Sequence, residues 1–477
     1  AGELQLPLNN LGACAIDYKG EAGIATAMGH APVPALVDPV AGSKLAIAEA
    51  LTNIVFAPMK ENLKSISLSA NWMWPAKNEG ENSRLYDAVE SISDFACDLG
   101  INIPTGKDSL SMVQKYPDGE KVYAPGTVVI SASGEIADVK KIVEPVVVTN
   151  TNTSLLYIDF AKDGFEIGGS VLGQVINKLG KQTPTVTDNA YFAKAFNAVQ
   201  DLIHADKVLA GHDISEGGMI TALLEMNFAN TKGGMDISLG GLEESDIVKI
   251  LFSEKPAIVV QVENGEAVIE ELKAKGVEAI NIGAPTEERA LNIVSGDFDQ
   301  SFDIDAFRTL WYKTSYLLDR QQSTPALAKE RFESFANNPM QYNFPVNFKG
   351  NLSQYGIEHG RTNPTGVKAA IIREKGVNGD REMAYSMYLA GFDVKDVHMT
   401  DLIAGTEDLS DVNFIVFVGG FSNSDVLGSA KGWAGAFKYN QKAKEALENF
   451  YAREDTLSLG VCNGCQLMME LGLVDKV

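Results

Sequence analysis

A cysteine set between a short apolar strand and an apolar helix can be both exposed and reactive, and LSLGVCNGCQLMMELG, Leu457 to Gly472, has that pattern around Cys462. The helix N-terminus that follows favours the thiolate. Gly460 and Gly464 flank the cysteine and would let a substrate approach the backbone closely. The same residues, Cys462-Asn-Gly-Cys465, also form a C-x-x-C pair of the redox or zinc type, and two buried structural thiols are a third reading. Only Cys14 and Cys97 remain in the chain, far upstream, so a four-cysteine zinc site would need a remote convergence. Upstream, FIVFVGGFSNSD brings Gly419-Gly420 to the end of an apolar strand, where backbone N–H groups could receive an oxyanion. That favours the nucleophile.

A second constellation lies in the first half of the chain. In AEALTNI, Glu49 and Asn53 stand at i,i+4 on one helix face, and both are hard oxygen donors of the kind magnesium takes. On its own such a pair is usually an ordinary solvated helix face. GHDISEGG, Gly211 to Gly218, places Asp213 and Ser215 between an apolar strand and a helix, where either could simply cap the helix. TGKDSLSM, Thr105 to Met112, is not a P-loop: the Walker spacing needs glycine at 101 and Ser or Thr at 108, and the chain has Ile101 and Asp108. GGSVLG, from Gly168, fails G-x-G-x-x-G and reads as a helix start, and Trp72 and Trp74 read as core and interface packing.

These residues need elements to hold them. Residues 1–150 mix helices such as SKLAIAEALTNIV with strands such as SISLSAN and GTVVISASGEI, an α+β pattern. Residues 151–308 alternate strand and helix, with GSVLGQVINKLG read as a helix and VLAGHDIS as a strand. Residues 309–366 are a polar helical segment followed by a proline- and glycine-bearing linker. In 367–477, VKAAIIR, DVKDVHM and FIVFVGG alternate with helices in a doubly wound, flavodoxin-like α/β order. The chain has 477 residues, 45% of them hydrophobic, enough for about three domains at the usual ~150 residues each. No run approaches the ~18 apolar residues of a membrane span, and a formal charge of −23 disfavours nucleic-acid and anionic-membrane partners. Four cysteines without a framework spacing suit a reducing, cytoplasmic setting.

GVCNGCQ with an upstream GGFS turn resembles the class I glutamine amidotransferase family, and GVNGDREMAYSMYLAGF, Gly376 to Phe392, narrows the resemblance to the large single-chain phosphoribosylformylglycinamidine synthase branch. The resemblance implies that Cys462 attacks the glutamine amide, that backbone N–H groups near Gly420 and Asn463 take the oxyanion, and that Gln466 lines the glutamine pocket. Residues 1–308 then look like an aminoimidazole-ribonucleotide-synthetase-like module, the second of two such halves, followed by a partial glutaminase domain. By the same resemblance Glu49, Asn53 and Asp213 ligate magnesium, Ser215 touches a bound ATP or ADP, and Asn10 stands where the family has an acidic ligand. Lys107 in GKDS would neutralise phosphate charge, or is a surface lysine without a role.

What the resemblance implies for activity is an ATP-dependent ligase of purine synthesis whose substrates are glutamine, ATP and formylglycinamide ribonucleotide. The family's triad takes His and Glu downstream of the cysteine, whereas all five histidines here precede it, and the ETHNHP phosphate motif of the first half is absent. The chain is therefore expected to be an internal piece, inactive alone, that works with the other synthetase half and the rest of the glutaminase domain. A glutaminase-type hydrolase of another pathway and a non-catalytic nucleotide-binding scaffold are the competing readings.

Overall fold

A computed structural model describes residues 1–17, 20–350 and 352–474. Residues 18 and 19 of the expected first segment, 351 of the linker and 475–477 of the last segment lie outside the described residues. Two compact units form, residues 1–341 and 342–477.

In the first unit a five-stranded sheet runs in the order Leu11–Ala15, Gly23–His30, Thr127–Ile136, Ile66–Met73, Asn102–Ser109, antiparallel except for its last pair. The helix Pro39–Ile54 lies on it. Its start is fixed by Pro39 and by Asp38, whose Oδ1 accepts from the N–H groups of Val40 and Ala41 at 2.8 and 3.1 Å. Twelve of its 16 residues are buried, because it sits between the sheet and the helix Glu81–Leu99. Gly29 lets it come that close: a Cβ at Gly29 would stand 2.2 Å from the carbonyl oxygen of Ala46.

A seven-stranded sheet follows, in the order Phe298–Asp303, Ala290–Ser295, Gly234–Ser238, Ala279–Thr286, Ser154–Asp159, Ala257–Val262, Val208–Ile214. It is antiparallel apart from the pair Gly234–Ser238 with Ala290–Ser295. Its two faces bury separate cores, one shared with the first sheet and the helix Asn189–His204, the other with the helix Gly218–Phe228. Leu4, Leu6 and Leu8 pack in the second core, although they open the chain.

Two expected elements are cut short. GSVLGQVINKLG is helical only over Val171–Val175, since Asn177 turns left-handed and the chain folds back so that Gly169 N–H donates to Leu179 O at 2.7 Å. The stretch after Phe307 divides into Ile304–Gln322 and Pro325–Ser334, because Pro325 cannot continue the first helix.

The second unit is a parallel sheet in the order Asp393–His398, Lys368–Arg373, Phe414–Phe417, Leu457–Gly460, each strand but the last followed by a helix or helical turn that returns to the next. The C-terminal ends of its two adjacent strands, Phe414–Phe417 and Leu457–Gly460, deliver the GGFS turn and the cysteine side by side.

Candidate active sites: a strained cysteine elbow and an acidic cavity

Cys462 occupies the single residue between the strand Leu457–Gly460 with Val461 and the helix Asn463–Leu471, at φ 52° and ψ −111°. A non-glycine residue held there costs of order 1–3 kcal/mol, which surrounding bonds must offset. They do so locally: Val461 N–H donates to Phe417 O at 3.0 Å, Gly464 N–H to Val461 O at 2.9 Å, and Gln466 N–H to Cys462 O at 3.1 Å. The N–H of Asn463 takes part in none of these and heads the helix. Cys462 is exposed; Cys465 is also exposed but lies inside the helix, and all four cysteines are free thiols.

The flanking glycines serve packing rather than substrate approach, which corrects the reading from sequence. A Cβ at Gly464 would lie 2.0 Å from Phe417 O, and one at Gly460 would lie 2.6 Å from Met468 Sδ. Gly464→Ala is expected to destabilise the chain by about 1–3 kcal/mol through overpacking, measured as a lowered melting temperature. An unchanged temperature would mean the helix does not pack on that strand.

Opposite the cysteine, Gly420 has φ 115°, and a Cβ on its neighbour Gly419 would come 3.2 Å from Cys462 Cβ. The turn is latched to the Gly376–Asp380 segment, for Asn378 N–H donates to Gly419 O at 2.8 Å and Phe421 N–H to Gly376 O at 2.9 Å. Gly420's own N–H is used by neither bond. The buried Asn463 side chain joins turn to elbow: its Oδ1 accepts from Ser422 N–H at 3.2 Å, and its Nδ2 donates to Asp425 Oδ1 at 3.3 Å and to Gln466 Oε1 at 3.0 Å. Gln466 is exposed one turn into the helix. Backbone donors and an exposed thiol thus share one turn, the geometry for attack on a carbonyl.

The second site is in the first unit, a cavity of about 840 Å³ whose walls include Asn10, Glu49, Asn53, Asp213 and Ser215. The close seat of the helix Pro39–Ile54 on the first sheet lets Glu49 Oε2 accept from His30 N–H at 2.7 Å. Burial, with Asp213, Glu216 and Glu254 nearby, pushes Glu49 up to about 8. Asn53 donates to Met28 O at 2.9 Å, and its Oδ1 is buried without a partner. Asp213 is the penultimate residue of the edge strand Val208–Ile214, accepts from Asn10 Nδ2 at 2.8 Å, and also has an unpartnered buried oxygen, Oδ2. Burial would raise its carboxyl, yet hydrogen bonds from His212, Asn10 and Ser215 and the His212 charge hold it below its ordinary value.

His212, buried beside it, contacts Asp213 O at 2.7 Å through Nδ1 and Glu225 Oε2 at 3.1 Å through Nε2. Against the effect of burial, the Asp213 carboxylate, whose Oδ1 is 3.3 Å from Nδ1, and the Glu225 carboxylate raise it to about 10. Glu225 is in turn fixed by Trp311 Nε1 at 2.9 Å. Sequence reading missed this support, His212, Glu225 and Trp311, though the His of GHD was its one visible signal. It also missed Glu254, whose Oε1 accepts from Val171 N–H at 2.7 Å and Gly217 N–H at 2.9 Å. Burial pushes Glu254 up to about 7 against those two bonds.

Glu49, Asn53 and Asp213 come together, with Asn10 bound to Asp213 and Ser215 at the same wall. Two orphaned buried oxygens among acids are what a hard cation would satisfy. Two carboxylates with amides fall short of a three-member His/Cys/Asp/Glu cluster, of which there is none among the described residues; magnesium, which keeps waters and phosphate oxygens as ligands, needs no more. Lys107 is apart from this group. It lies in the exposed strand Asn102–Ser109, not in a loop, and its Nζ donates to Ser109 Oγ at 2.5 Å.

The two sites are thus an acidic cavity in the first unit and a strained cysteine elbow in the second. Family models match accordingly: residues 1–135 an FGAR-AT PurM_N-like domain, 155–295 the C-terminal domain of AIR synthase related proteins, and 366–477 a CobB/CobQ-like glutamine amidotransferase domain. The curated relatives are phosphoribosylformylglycinamidine synthases. A probable one from Arabidopsis thaliana, named as chloroplastic/mitochondrial, is 40% identical over 99% of this chain and 33% of its own length. That of Homo sapiens is 38% identical over 99% of this chain and 35% of its own. The chain thus spans about a third of the curated relatives it matches. Among solved structures, Thermotoga maritima PurL complexed with FGAR covers 63% of this chain and 48% of its own at 16% identity and a TM-score of 0.50, a likeness of fold. No helix among the described residues is long and apolar enough to cross a membrane.

Proposed function

We propose that this chain carries the nucleotide-binding half-module and the glutamine-attacking thiol of a phosphoribosylformylglycinamidine synthase, acting in the ATP-dependent, glutamine-hydrolysing conversion of formylglycinamide ribonucleotide to formylglycinamidine ribonucleotide. The observation that carries the reading is the strained backbone of Cys462 beside the Gly419-Gly420 turn. Cys462 Sγ attacks the glutamine side-chain carbonyl, the oxyanion is met by the Gly420 and Asn463 N–H groups, and collapse to a glutamyl thioester releases ammonia. Gln466, anchored by Asn463, faces the glutamine. Water then hydrolyses the thioester to glutamate. The ammonia must reach the ligase site without meeting bulk solvent, where it would be protonated; the other synthetase half and further glutaminase residues are the partners this requires. The four free thiols suit a cytoplasmic setting.

In the half-module, Glu49, Asn53 and Asp213 would hold magnesium and Ser215 a nucleotide phosphate, with Asn10 and His212 orienting Asp213. Magnesium supplies neutralisation of phosphate charge in an otherwise acidic cavity. Denaturing extraction of the purified chain is expected to release ADP or ATP, and Mg-ADP at about 100 times its dissociation constant should stabilise the chain by about 2.7 kcal/mol. Neither released nucleotide nor a thermal shift would remove the nucleotide assignment.

A further inference from the structure

Three consecutive buried or half-buried side chains between the helix Ile247–Phe252 and the strand Ala257–Val262 all reach the same loop. Ser253 Oγ donates to Glu166 O at 2.7 Å. Lys255 Nζ donates to Asp163 O at 2.7 Å and pairs with Asp159 at 2.9 Å. Glu254, between them, differs, because the oxygen that accepts from Val171 N–H in that loop also accepts from Gly217 N–H. Gly217 opens the helix Gly218–Phe228 two residues after Ser215. Gly217 sits at φ +88°, a conformation that favours glycine. Both tethered segments wall a slot of about 100 Å³ that also touches Glu49, Ser215 and Glu216.

A carboxylate beside Glu49 and Glu216 is electrostatically costly. Its two N–H bonds are the compensation, and they join segments 46 residues apart in sequence, from Val171 to Gly217. We propose that Glu254 is a positioning residue that couples the Gly168–Val175 segment to the Ser215–Gly218 turn, so that the two close as one wall on a ligand reaching the slot between them. The proposal rests on the nucleotide reading only for the identity of that ligand.

Amide hydrogen exchange on the whole chain tests the coupling without nucleotide. Ser170 caps the short helix, its Oγ accepting from Gly173 N–H at 3.2 Å. Ser170→Ala is expected to speed exchange about tenfold in 168–175 and at least about threefold in 215–218. With Glu254→Ala both segments exchange fast, and adding Ser170→Ala changes nothing further in 215–218. Glu254→Gln, which keeps a carbonyl acceptor, restores the spread; Ser253→Ala loosens the 166 region without reaching 215–218. Glu254→Asp, one methylene too short to reach both donors, replaces the alanine variant if that variant does not fold. Spread of the Ser170→Ala effect into 215–218 in the Glu254→Ala or Glu254→Asp background, or native exchange at Val171 and Gly217 in those variants, would overturn the proposal. Mg-ADP added to the unsubstituted chain should protect both segments together. Protection of neither refutes the nucleotide reading while the coupling result stands, and protection of one alone refutes the coupling.

Discussion

Glutamine incubated with this 477-residue chain is expected to release ammonia at least about a thousandfold more slowly than with the Homo sapiens relative. On the proposed reading the elbow supplies a thiol and oxyanion donors, but thioester formation also needs a base to hold the thiol's proton and an acid to deliver it to the departing ammonia. Within the second unit the two histidines are placed elsewhere. His398 ends the strand Asp393–His398, three strand steps from Leu457–Gly460, or about 14 Å at the usual ~4.8 Å spacing. Its Nδ1 accepts from Thr400 N–H at 3.2 Å and caps a helix. His359 contacts Tyr385 Oη at 3.3 Å. Oxyanion donors alone retain a remnant, each such donor being worth ~10² to 10³ in rate. Comparable rates for the two proteins would mean that a base reaches Cys462 from elsewhere in this chain.

Substituting Glu49 by Gln is expected to change stability in opposite senses with and without nucleotide. Glu49 is a half-buried carboxyl near Asp213, Glu216 and Glu254. Glutamine keeps the acceptor for His30 N–H and matches the neutral form that a value raised to about 8 favours at neutral pH, so the nucleotide-free chain should melt no lower than the native one. The same change removes a ligand charge from magnesium, and the Mg-ADP stabilisation of about 2.7 kcal/mol should fall below about 1 kcal/mol, as a hundredfold loss of affinity dictates. Calorimetric melting with and without Mg-ADP reads both arms. A variant that loses stability without nucleotide but keeps the full Mg-ADP shift would make Glu49 a structural carboxylate.

How far each site could be read from sequence follows from how local it is. The elbow could be read because strand, cysteine and helix are contiguous, and its strain is a property of one residue. The Asn463 bridge could not, since Ser422 and Asp425 lie some 40 residues upstream and only the parallel pairing of Phe414–Phe417 with Leu457–Gly460 brings them near. Glu49 and Asn53 were visible as a helix face; that the face is buried depends on Gly29 admitting the helix to the sheet. Glu254 and Trp311 carried no local signal, for each acts through partners more than 35 residues away. The shortened helix after Ser170 was misread because its apolar spacing is helical, while the left-handed Asn177 and the return to Gly168 and Gly169 are tertiary. The packing role of Gly464 was misread for a similar reason. A glycine beside a nucleophile suggests access for substrate, and only the position of Phe417 O decides otherwise.

A glutamine-analogue electrophile followed by peptide mapping tests whether Cys462 is the glutamine-attacking thiol. Both thiols of the motif are exposed, so accessibility does not separate them. Only Cys462 sits at the strained turn opposite Gly419-Gly420, with the Asn463 N–H beside it; Cys465 lies in the helix. A single adduct is expected on Cys462, unchanged by Cys465→Ala, abolished by Cys462→Ala and suppressed by excess glutamine. Equal labelling of Cys462 and Cys465, or a Cys462–Cys465 disulfide in the active protein, would contradict it and favour a redox pair.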